Sequence, residues 1–120
     1  MKRLLFSLVL SILLISCSLF PDQRIAFTFT NALGSTIQTV SVYPIHNSEL
    51  AASSSTLACS QTKTLQLNLK KATKSDSCYV VAIEHEGITT SVEYGYYSNG
   101  FPLEKQVSIV IDSEFLDAGK

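Results

Sequence analysis

Residues 78–96, CYVVAIEHEGITTSVEYGY, read as one β-hairpin. Apolar side chains recur at alternate positions on either side of Glu86-Gly87, and a two-residue turn ending in glycine supplies the positive φ angles that a tight antiparallel connection requires. With the turn at that place, Tyr79 faces Tyr94, Val81 faces Val92, Ile83 faces Thr90 and His85 faces Ile88. The other face pairs Val80 with Glu93, Ala82 with Ser91, Glu84 with Thr89 and Cys78 with Gly95. The first set is apolar almost throughout and the second is mixed, which is the signature of a strand pair resting one face on a core.

The same two-residue period continues outward from the hairpin, and a helical period is nowhere sustained. Ile25, Phe27 and Phe29 alternate with Ala26, Thr28 and Thr30. Asn31 to Ser35 is a turn, and a second strand runs from Ile37 to Tyr43 until Pro44 stops it. His46 to Ser60 is Ser-rich and poorly patterned, with room for one helical turn at Ser48 to Ala52. Leu65, Leu67 and Leu69 mark a third half-buried strand, whose exit, Lys70 to Ser77, is polar and reads as a mobile loop. Val107, Ile109 and Ile111 form the last strand, before an acidic tail that contains Phe115 and Leu116. Six strands with irregular connections and no helix of useful length predict an all-β fold, a small antiparallel β-sandwich spanning residues 24–112, with 113–120 as a C-terminal tail.

The N-terminus is of a different kind. MKRLLFSLVLSILLISC, residues 1–17, carries two cations, an apolar run from Leu4 to Ile15, and then Ser16 and Cys17. Crossing ~30 Å of hydrocarbon takes about 20 apolar residues, so this stretch reads as an export signal and not as a permanent span. Leu14-Ile15-Ser16-Cys17 resembles the lipobox of bacterial lipoproteins. The resemblance covers only this segment. It implies a signal peptide over 1–16, cleavage before Cys17, a diacylglycerol on the Cys17 thiol and an acylated amino terminus, with 17–23 as lipidated cysteine and tether. It also implies the outer membrane in cells that have two, because Ser18 and not Asp follows the cysteine. The six residues Ser18 to Gln23 reach roughly 20 Å at ~3.3 to 3.6 Å each, so the domain is expected to stay near the bilayer.

The cysteine arithmetic follows from that reading. Cys17 is consumed by lipid, which leaves Cys59 and Cys78 as a candidate disulfide in an oxidising compartment. Such a bridge would constrain the unfolded chain by roughly 3 kcal/mol. The alternative is two separate thiols, since a straight strand from Thr64 to Leu69 carries the chain away from Cys59. The pattern of an early Asn-x-Leu-Gly loop (Asn31 to Gly34), a strand, a polar loop and a strand running through Glu-Gly into its return loosely resembles small Ig-like or transthyretin-like domains of bacterial lipoproteins. That resemblance transfers no functional residue.

Composition narrows the functional classes. Loss of Lys2 and Arg3 with the signal leaves seven basic against ten acidic residues, so a basic nucleic-acid or anionic-lipid surface is not expected. His46 and His85 are the only histidines, and there is no Gly-x-Ser-x-Gly turn, Cys-x-x-Cys pair or phosphate-cradling glycine loop. In Glu84-His85-Glu86, strand alternation sends His85 to the face opposite Glu84. No catalytic residue, metal site or cofactor is therefore expected. Tyr94-Gly95-Tyr96-Tyr97-Ser98-Asn99-Gly100-Phe101 is built from the residues that make adaptable binding loops, aromatic area joined to short polar groups. Alternation from the hairpin places Tyr97 outside, and Tyr97, Asn99 and Phe101 are the candidate partner contacts. The alternative is that Tyr94 and Tyr96 continue the inward face and Ser98 to Gly100 is only a turn. The expected function is that of a lipid-anchored, extracytoplasmic, non-enzymatic binding protein whose partner is another envelope protein or polymer. A structural envelope component with an unpaired edge at Arg24 to Asn31, or an inhibitor of a secreted hydrolase, are the alternatives.

Overall fold

The structure, a computed structural model, describes residues 22–120; the signal segment, the lipobox and Cys17 lie outside them. Eight strands form two packed sheets. The smaller sheet has the order β4-β1-β8, and the larger β3-β2-β5-β6-β7. In chain order these are β1 (Arg24–Asn31), β2 (Ile37–Pro44), β3 (Ala52–Leu57), β4 (Thr62–Asn68), β5 (Ser77–His85), β6 (Ile88–Ser98), β7 (Phe101–Pro102) and β8 (Gln106–Ile111). A 3-10 turn, Ser48–Leu50, precedes β3, and a short helix α1 (Ser113–Ala118) follows β8. Among the described residues no helix is long and apolar enough to cross a membrane.

Alternation decides the burial. Ile25, Phe27 and Phe29 are buried between the sheets, while Thr28 and Thr30 face out and meet Thr64 and Thr62 through hydroxyl contacts of 2.9 and 3.0 Å. From the second sheet come Val40, Val42, Tyr79, Val81 and Ile83, each at 2% exposure or less. The aromatic centre is Phe27, stacked on Phe29, with Tyr79 edge-on at 5.1 Å between ring centres and Tyr97 a further 5.3 Å beyond. Burial of rings of this size dominates the stability of a small core.

The hairpin pairs as its pattern dictates from Tyr79–Tyr94 to His85–Ile88, with Glu86 and Gly87 both at positive φ in the turn. Four expectations are corrected. The strands number eight, because Ala52-Ser-Ser-Ser-Thr-Leu57 pairs along β2 although it lacks an apolar alternation; Lys63 on β4 holds it by donating to Ser54 Oγ and the carbonyls of Ser55 and Thr56. The stretch Arg24 to Asn31 is no free edge: β1 is central, antiparallel to β4 and parallel to β8. The Lys70 to Ser77 exit is tied down, with Ala72 buried, the Thr73 amide donating to the buried Asn47 side chain at 2.8 Å, and Asp76 bonded to the next hairpin. Finally, the acidic tail contains a helix, N-capped by Asp112, whose side chain accepts from the Phe115 amide at 2.8 Å. Its Phe115 and Leu116 pack on the core, and Gly119 lies so close to Thr90 and Val92 of β6 that a side chain there would collide.

The Cys59–Cys78 bridge is also overturned: both thiols are free. Cys59 follows Leu57, which faces Ile37 at one end of β2, whereas the Cys78 carbonyl accepts from Ile45 just past the other end. Seven residues of extended strand separate those ends by roughly 23 Å at ~3.3 Å each. A disulfide needs Cα atoms within about 7 Å.

Candidate functional site

The site is built at the end of the sandwich where β1 begins. Gln23 is clamped there, its carbonyl accepting from the Leu69 amide at 2.9 Å and its side chain donating to the Gly100 carbonyl at 3.3 Å. The same end receives the close of β6, the two-residue β7 and the loop into β8. Asn99 and Gly100, both at positive φ, make the tight turn that joins Ser98 to Phe101. Asp76 braces this turn, accepting from the Asn99 amide at 2.9 Å and from Ser98 Oγ at 3.0 Å. These two donors hold its carboxyl below the usual aspartate range.

One residue reorders the aromatic run. The β5–β6 register shifts between Ser77–Tyr97 and Tyr79–Tyr94, and Gly95 sits in the bulge at φ 68°. An extra residue in one strand moves everything beyond it to the opposite face. Tyr97, expected outside, is therefore fully buried at 0% exposure against Tyr79. Tyr96 takes the outward position at 48%, where burial of its ring and the neighbouring Asp76 carboxylate raise its pKa. Tyr94 does face inward, toward the cavity it shares with Ile25 and Val107 of the smaller sheet, yet its ring remains 37% exposed. Of the three candidate contacts, Asn99 is exposed, Phe101 is half-buried and Tyr97 is core. The signal for the inversion was present in the chain, since a glycine inside a strand marks a bulge.

That cavity, of about 360 Å³, is lined by Ile25, Tyr79, Tyr94, Gly95, Tyr96, Leu103, Glu104 and Val107. Leu103 at its rim is 64% exposed. Tyr79 is almost wholly buried, and its hydroxyl has no hydrogen-bond partner among the described residues; neither has that of Tyr97. Burial first, then the nearby Tyr97 and Glu104, push the Tyr79 phenol well above its ordinary range, so it is a neutral donor at any physiological pH. The site is thus a ring-walled, largely apolar recess with one buried phenol and one carboxylate.

At the opposite end a second polar group forms. Ser35 Oγ lies 2.7 Å from His85 Nε2 and 3.5 Å from Glu86 Oε1. Asn31, fully buried, orders the turn that carries Ser35: its side chain donates to the carbonyls of Ser35 and Leu57 and accepts from the Leu33 amide, each at 2.9 Å. Nucleophilic catalysis by serine needs a base that is itself oriented by a third group. The contact ties the hairpin tip to the loop, and no hydrogen bond to the other ring nitrogen of His85 occurs among the described residues. No group of metal-binding side chains occurs among the described residues.

No protein-family profile, curated protein or solved structure matches this chain.

Proposed function

We propose that the protein is a lipid-anchored, extracytoplasmic, non-enzymatic binding domain of the cell envelope, held at Cys17 and recognising its partner through the ring-bearing end of the sandwich. The observation that carries this reading is the exposure of Tyr94, Tyr96 and Leu103 around one cavity. Large apolar side chains cluster on a surface when that surface is used. The anchor reading rests on the sequence Leu14-Ile15-Ser16-Cys17. Its short tether enters the domain at Gln23, beside the cavity.

Crosslinking on intact cells followed by mass spectrometry tests the reading. Adducts are expected within Tyr94 to Glu104. Adducts confined to the far edge strand, Ala52 to Leu57, would place recognition elsewhere and overturn it.

A further inference from the structure

The partner at this end is set by three observations: where the chain enters, how charge is distributed, and what the cavity offers. Gln23, fixed to Gly100 and Leu69, is the last residue of the tether, so the cavity end of the sandwich is the one within roughly 20 Å of Cys17. That end carries Arg24, Lys70, Lys71, Lys74 and Lys105, balanced by Asp22, Glu49, Asp76, Glu93 and Glu104. The remote end carries Glu84, Glu86, Asp112, Glu114 and Asp117 against Lys63 and Lys120. An anionic bilayer surface repels the acidic remote end and so favours the balanced cavity end facing it. Tyrosines sit well at the level of lipid headgroups, and an exposed leucine beside them finds apolar surface there.

The cavity has the chemistry of an ammonium site. Tyrosine faces attract cations through their quadrupole, and the single charged group in the lining is the Glu104 carboxylate. A second recess, which shares Ile25 with the first, is lined by Arg24 and Lys105, with Asp22 pairing to Arg24 at 3.1 Å. Lys105 also feels the Asp22 carboxylate but forms no close ion pair among the described residues, so its side chain can meet an anion adjacent to the ammonium position. Positive and negative groups side by side are the two halves of a zwitterionic phospholipid headgroup. We infer that this end of the domain docks on the bilayer that holds its anchor, the headgroup ammonium entering the tyrosine-walled cavity beside Glu104 and the phosphate meeting Lys105 and Arg24. This rests on the lipid-anchor reading above.

The chain has no tryptophan, so one introduced residue reports its own surroundings. Leu103→Trp and Ile88→Trp place it at highly exposed positions, 64% and 68%, at the two ends of the sandwich. The full lipidated protein is reconstituted in vesicles of phosphatidylethanolamine and phosphatidylglycerol containing a shallow spin-labelled lipid. Quenching of Leu103→Trp is expected to exceed that of Ile88→Trp by roughly threefold, as befits a side chain at headgroup depth. The excess is expected to fall in vesicles of phosphatidylglycerol alone, and on adding Glu104→Gln. Equal quenching at the two positions, or an excess indifferent to the ammonium headgroup, overturns the proposal. Co-sedimentation with the vesicles reads the anchor separately. Protein that stays with the vesicles without differential quenching refutes the docking alone, and protein that leaves them refutes the anchor and the docking together.

Discussion

Tyr97 and Tyr96 are neighbours with opposite duties, and their substitutions separate accordingly. Replacing the buried Tyr97 by Ser leaves a ring-sized void and is expected to cost about 3 to 5 kcal/mol in urea unfolding, whereas Tyr96→Ser stays within ~0.5 kcal/mol. Tyr97→Phe removes only an unpartnered buried hydroxyl and is expected to stabilise by about 1 kcal/mol. Asn31 is the opposite case, a buried amide with every bond made. Asn31→Ala frees the carbonyls of Ser35 and Leu57 and the Leu33 amide, and a loss of about 2 to 4 kcal/mol is expected. Asp76 gives the pH dependence. Its folded-state pKa lies below the ordinary 3.8, so its contribution is complete at neutral pH and is lost as pH falls below the unfolded value and through the folded one. Unfolding curves from pH 6 to pH 2 (on the order of the carboxylate range) are expected to fall less steeply for Asp76→Asn than for the parent chain.

At the scale of elements, the Gly95 bulge decides which rings are available. Gly95→Ala would place a methyl 3.3 Å from the Tyr79 ring on a backbone at φ 68°, and a cost of about 1 to 2 kcal/mol is expected, read as a lowered melting temperature. The hairpin from Tyr79 to Tyr94 was legible residue by residue, because a period of two and a two-residue turn leave one register. Beyond Gly95 the same arithmetic failed, since a bulge adds a residue and periodicity cannot count it. The strand Ala52 to Leu57 was illegible for another reason: its pattern is serine, and what makes it a strand is the β2 backbone beside it and Lys63 beneath. Parity of cysteines misled likewise, because proximity is a tertiary property. Cys59 and Cys78 are expected to alkylate in denatured protein without prior reduction, and Cys59, exposed on its turn, to react in the native state as well. Cys78 should lag in the folded protein, where burial and then Glu93 raise its pKa.

The whole molecule is a five-stranded sheet only partly covered by a three-stranded one. The inner face of β6 meets α1 at one end and the tyrosine cavity at the other. The all-β class and the layer architecture were readable from alternation along the chain, whereas the parallel β1–β8 pair was not, because it joins strands separated by the entire second sheet. The cavity was half legible: its tyrosines stood out by composition, but Glu104, Leu103 and Ile25 reach it only through the packing of the sheets. The proposed function depends on polarity along the sandwich, with the proposed anchor and the rings at one end and the net acidic charge at the other. Everything in that picture begins at Cys17. The most direct measurement is the intact mass and N-terminal fragment of the protein extracted from its own membranes. A chain that begins at Cys17 and carries a diacylglycerol and an acyl group is expected, with Cys17→Ser losing both; a chain that retains residues 1–16 and bears no lipid would contradict the proposed anchor.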